Sequence, residues 1–136
     1  MGGLGSGRSG WLPVIEDGLK LDLRHLRRKK LFDPSHMYRQ VSLQWTFAET
    51  GEIRASMTMT YCTTPGDSWL GLEYQITRDG ERIPVKETFR LERFDQPFGG
   101  YRWYLRCPQT GRRCQCLYLP PGATRFRSRA GFRARL

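Results

Sequence analysis

The residues with chemistry to offer are the arginines of the last third of the chain and the rings set among them. Arg102, Tyr104 and Arg106 alternate with Tyr101, Trp103 and Leu105. An extended chain turns successive side chains to opposite faces, so this spacing gives one basic, ring-bearing face and one apolar face. Arg112 and Arg113 follow at a turn, and Arg125, Arg127 and Arg129 alternate beyond it. A planar guanidinium makes forked contacts with phosphate or carboxylate, and an exposed ring such as Tyr104 can stack on a base. Towards the other end, Arg24, Arg27, Arg28 and Lys29 share the polar side of a short helical pattern. The chemistry these groups offer is the binding of a polyanion.

Other chemistries find less support. Four cysteines, Cys62, Cys107, Cys114 and Cys116, have no disulfide-scaffold spacing, and a reducing compartment would keep them as thiols. Cys107, Cys114 and Cys116 read C-x6-C-x-C, a poor chelating spacing for tetrahedral zinc, and His25 and His36 are far away in the chain. No metal or other cofactor is expected. No carboxylate pair has a suggestive spacing, and Cys62 reads as a strand-end cysteine rather than a nucleophile. Neither an enzyme nor a small-molecule substrate is expected.

Charge sharpens the picture. The chain of 136 residues carries a formal net charge of +10. Residues 1–30 hold seven Lys/Arg against three Asp/Glu, and residues 31–100 hold seven against ten. Residues 101–136 hold nine Arg and no acid. The positive field belongs to the two ends, and such a field attracts nucleic acid or an acidic protein surface. No apolar run is long enough to span a membrane, and MGGLGSGRSG has no apolar core of a signal peptide. A cytoplasmic protein with no membrane partner is expected.

The elements that must position these groups can be read in order. Residues 1–10 form a Gly/Ser-rich flexible arm with Arg8. An irregular lead-in runs from Trp11 to Leu21. Asp22 caps a short helix from Leu23 to about Leu31, stopped by Asp33-Pro34. Val41, Leu43, Trp45 and Phe47, then Ile53, Ala55, Met57, Met59 and Tyr61, alternate on two strands joined by the turn AETGE. Residues 62–68 read as a loop. Leu70 to Ile76 form a third strand, Asp79-Gly80 a type I′ turn, and Ile83 to Leu91 a fourth strand broken at Pro84. Asp95–Gly100 connects to a hairpin, Tyr101–Leu119, that turns at Thr110-Gly111. Phe126 and Phe132 pack back on the core. The fold class is mainly β: an antiparallel sheet of about six strands, one short basic helix and a ribbon-like C-terminal hairpin. One domain is expected, with residues 11–98 as helix and β core and 99–136 as the Arg-rich hairpin and tail.

Three segments carry a family resemblance. Met1–Arg8 (MGGLGSGR), Leu19–Leu31 (LKLDLRHLRRKKL) and Tyr101–Leu119 with Phe126–Arg129 resemble a family of small, mostly uncharacterised bacterial, phage and mobile-element proteins. Its members end in a zinc-ribbon-like pair of knuckles, CPxCGRR and FxCRxC. Cys107 matches the first ligand. Thr110 stands in place of the second, and Ser128 and Gly131 in place of the second pair. The resemblance therefore implies a ribbon that keeps its hairpins without its metal, held by Trp103, Leu105, Leu117, Leu119 and Phe126. Family members run on further, so an end at Leu136 implies truncation.

Two functions fit. The first is nucleic-acid binding, through the backbone or to a single strand rather than by major-groove reading, since no recognition helix is evident. The second is docking on an acidic host complex, as a phage-type inhibitor of a defence or nucleic-acid-processing machine, through the same arginines.

Overall fold

Period-two hydrophobicity governs most of the chain, and strands follow it. The computed structural model describes residues 11–12, 14–15, 18–46, 53–120 and 122–129. The arm at 1–10, Phe47, the turn at 48–52, Gly131 and Phe132 lie outside the described residues. Three short strands come first: β1 (Trp11–Leu12), β2 (Val14–Ile15) and β3 (Gly18–Asp22). Helix α1 (Leu23–Arg28) follows. Then come β4 (Tyr38–Thr46), β5 (Ile53–Thr64), β6 (Asp67–Arg78), β7 (Glu81–Asp95) and β8 (Tyr101–Arg106). The chain continues through β9 (Arg113–Cys114) and β10 (Cys116–Leu119).

β4 to β9 pair in sequence as an antiparallel meander, and β1 joins the far edge parallel to β4. A second sheet has the order β10-β3-β2. The fold is mainly β with one short helix, as the alternation requires. The lead-in before the helix is more ordered than expected, because Leu19 and Leu21 of β3 alternate into the core opposite Leu119 and Leu117 of β10. The C-terminal hairpin is correspondingly shorter. Only Arg113 and Cys114 return along β8, opposite Arg106 and Leu105. Cys116–Leu119 leaves and pairs with β3 instead.

The turns obey local chemistry. Asp79 and Gly80 both take positive φ, 53° and 80°, which a type I′ hairpin requires. The expected loop at 62–68 contracts to Pro65-Gly66, with Thr64 already opposite Asp67. Pro84 does not break β7. Counting from the Arg78–Glu81 pair that closes the two-residue turn, Pro84 opposite Gln75 falls at a non-hydrogen-bonded position. β8 covers β7 only from Leu91 to Asp95. The missing N–H therefore faces an open edge and costs no ladder bond.

Asp22 caps α1 by accepting the Arg24 N–H at 2.9 Å. The helix ends at Arg28, before the expected Leu31, because Lys30 turns left-handed at φ 60°. The Leu31 N–H then donates to the Leu26 carbonyl at 2.8 Å and the Lys30 N–H to Arg27 at 3.0 Å, a Schellman closure. Leu26 and Leu31 are both buried, which supplies the apolar contact of that motif.

One core joins all of this. The inner face of the large sheet supplies Leu43, Trp45, Met57, Met59, Tyr61, Leu70, Leu72, Phe89, Trp103 and Leu105. β3, α1 and β10 cover it with Leu19, Leu21, Leu23, Leu26, Leu117 and Leu119, joined by Phe32 and Phe126. Phe32 meets Tyr61 and Trp103 edge-on, at 4.9 Å and 5.8 Å between ring centres. The five residues expected to hold the C-terminal segment are buried. Cys62 is half-buried at the strand end, with its sulfur 3.1 Å from the Thr64 hydroxyl.

Candidate functional site

The two basic ends of the chain meet where α1 lies against the edge of β8. Leu23 and Leu26 bury the apolar side of the helix, so Arg24, Arg27 and Arg28, at i, i+3 and i+4, share the opposite side. The Leu23 N–H donates to the Gln115 carbonyl at 2.8 Å, and Gln115 Nε2 donates to the Trp103 carbonyl at 3.3 Å. These bonds fix the helix against β8. Between them runs a cleft lined by Arg24, Arg27, Arg28, Tyr101, Arg102 and Gln115, with Leu23 and Trp103 at its floor.

The cleft is strongly positive. Of the cleft's arginines Asp22 holds Arg24, through Nε at 3.2 Å and a terminal nitrogen at 3.3 Å. Arg24 also donates to the Cys116 sulfur at 3.4 Å. Arg27, Arg28, Lys29 and Arg102 make no ion pair among the described residues. Like charges crowded on one cleft repel, and an anion placed there relieves the repulsion. Tyr101, expected on the apolar face of its strand, is instead exposed and belongs to it.

The outer face of β7, β8 and β9 continues the basic surface. Arg102 lies opposite Phe94, beside Tyr104. The Arg113 guanidinium sits 4.4 Å from the centre of the Phe94 ring and 4.9 Å from that of Tyr104. Phe94 and Tyr104 meet edge-on at 5.5 Å. Tyr104 is thus half-buried and already carries a cation, so its ring is less open to a base than its alternation implied. Arg112 is exposed at the turn, with no ion pair among the described residues.

Three other expected cations, Arg106, Arg125 and Arg127, are tied to acids of β7. Arg106 grips Glu92 with two bonds, 2.9 Å and 2.8 Å, and donates to the Gly111 carbonyl at 2.9 Å. Its hydrogen bonds hold the Glu92 carboxyl below the ordinary range. Arg127 is only 15% exposed and donates to Glu87 at 2.7 Å. Arg125 lies 3.9 Å from the same carboxylate and donates to the Lys86 carbonyl at 3.4 Å. The Arg129 guanidinium lies 4.8 Å from the centre of the Tyr118 ring. The tail cations therefore clasp the fold rather than line the cleft.

Cys107 is buried in a tight turn. The Gly111 N–H donates to the Cys107 carbonyl at 2.8 Å, with Gly111 at φ 72°. The Ser128 N–H points at the Cys107 sulfur, 3.4 Å away. Burial opposes the thiolate, but hydrogen bonds from Ser128, Thr110 and Gln109 outweigh it and pull the thiol from 9.0 down to about 7. Burial, with Cys107 and Cys116 nearby, pushes the Cys114 thiol up to about 12. Among the described residues no three of His, Cys, Asp and Glu are grouped so as to hold a metal ion. No described helix is long and apolar enough to cross a membrane.

No protein-family model, curated protein or solved structure matches the chain.

Proposed function

We propose that the protein binds nucleic acid, with the sugar–phosphate backbone held along the α1–β8 cleft and the Arg112–Arg113 turn beside it. One observation carries this reading: Arg27 and Arg28 converge with Arg102 in a cleft where no acid neutralises them among the described residues. Forked guanidinium groups suit phosphate oxygens, and several together give the salt-dependent affinity typical of backbone contacts. α1 has six residues and is docked on its apolar side, so it is no major-groove reader. The protein acts as a binder and not as a catalyst in this reading. The resemblance to mobile-element proteins with ribbon-like C-termini is part of the same proposal, and the Cys107–Ser128 contact supports it.

The test is a fluorescence-anisotropy titration with labelled single- and double-stranded DNA and RNA at two salt concentrations. Submicromolar binding that weakens steeply with salt is the expected result. No binding at moderate salt overturns it and turns the same arginines into a docking surface for an acidic host protein.

A further inference from the structure

Phe98 is fully exposed at the tip between β7 and β8. The turn that carries it is well braced. The Gly99 N–H donates to the Gln96 carbonyl at 3.0 Å, and the Gln96 N–H donates to the Gly100 carbonyl at 3.1 Å. Gly99 and Gly100 take φ of 97° and 76°, a backbone path that side chains with a Cβ rarely follow. The ring is thus held out by a turn built for it. Tyr101 comes next, 52% exposed, with the Arg93 guanidinium 4.0 Å from its ring centre. Tyr101 and Arg102 line the α1–β8 cleft. An unpacked ring, a second ring with a cation on it and the basic cleft therefore follow one another along four residues of chain and into the site.

We propose that Phe98 stacks on an unpaired base of a single-stranded nucleic acid whose backbone lies in the α1–β8 cleft. This rests on the nucleic-acid reading and deepens it to a substrate class. A duplex keeps its base faces covered, whereas a single strand offers every base face to a ring. The arginines set the backbone, and the ring supplies a contact that salt does not screen.

Phe98 packs on nothing, so Phe98→Ala leaves the fold intact, which a thermal melt checks directly. Wild type and variant are titrated with a labelled oligo-dT strand and with an abasic strand of equal length, each at two salt concentrations. The variant is expected to bind oligo-dT about tenfold more weakly, the size of one lost base stack, with an unchanged salt slope. Wild type is expected to bind the abasic strand about as weakly as the variant binds oligo-dT. Equal affinities of wild type and variant for oligo-dT overturn the stacking role and leave the cleft reading standing. Failure of wild type to bind either strand overturns the single-strand assignment, and failure to bind duplex DNA and RNA as well overturns the cleft reading with it.

Discussion

Asp22 links three structures at one residue. It ends β3, caps α1 and holds the guanidinium of Arg24 at the rim of the basic cleft. Burial works against its charge, but the side-chain and backbone hydrogen bonds from Arg24 outweigh this, and its pKa falls below the ordinary 3.8. A depressed folded value means that the carboxylate stabilises the fold above pH 3.8 and that this contribution is lost as pH drops through the folded value. Asp22→Ala is expected to cost about 1 kcal/mol at neutral pH, the usual worth of such a cap. The gap between variant and wild type should close in urea titrations carried down into acid. A penalty that stays the same from neutral pH into acid contradicts this account of the cap. Asp22 was legible because a cap acts on residues just ahead of it in the chain. The engagement of Arg106 and Arg127 was not, because Glu92 and Glu87 reach them across strands and no local spacing announces such a pair.

At the scale of elements, the C-terminal segment is fastened to β7 by one buried carboxylate. Glu87 lies on the inward side of β7 and is 6% exposed. It accepts from the Phe126 N–H at 2.8 Å and from Arg127 at 2.7 Å, and Tyr74 lies 2.7 Å away. Tyr74 shares its hydroxyl proton with the Thr124 carbonyl at 2.8 Å. Burial and the adjacent Glu87 carboxylate keep that phenol far above its usual value. Phe126 is thereby pressed between Trp45 and Tyr74, at ring separations of 6.4 Å and 5.7 Å. Removing one partner of a buried ion pair strands the other charge, so Glu87→Gln should cost about 3 kcal/mol of stability. The double variant Glu87→Gln with Arg127→Met leaves no buried cation stranded, Arg125 being half exposed, and should recover part of that loss in denaturant melts. Additive losses would show that the pair is not coupled. The strands themselves were legible from their alternation, and so was the Asp79-Gly80 turn. The pairing of β10 with β3 was not, because each strand is short and its partner lies at the other end of the chain. Pro84 misled for a different reason: its effect depends on which neighbours β7 has at that height.

At the scale of the whole molecule, charge is distributed unevenly over the fold. The acids of the middle segment sit largely on the meander, while the arginines gathered in the cleft come from both ends. Folding draws those ends together, since β3 leads into α1 and lies beside β10 while α1 leans on β8. The basic character of each end was plain in the sequence, including Arg27, Arg28, Arg102 and Arg112. Their gathering into a cleft was not, since it depends on the docking of α1. Phe98 left a readable trace, a Phe set between Pro97 and Gly99-Gly100, where no strand could bury it. The measurement that tests the central claim most directly compares two variants that each lose three cations. One is Arg27→Ala/Arg28→Ala/Arg102→Ala in the cleft, and the other is Arg78→Ala/Arg82→Ala/Lys86→Ala around the β6–β7 turn. Affinity for a labelled single strand is followed against salt. The cleft variant should lose most of its affinity, and its log–log salt slope should shrink by about 2, the counterions of three phosphate contacts. The β6–β7 variant should stay close to wild type. Equal losses in the two variants would mean that net charge alone attracts the strand, and would contradict a site in the cleft.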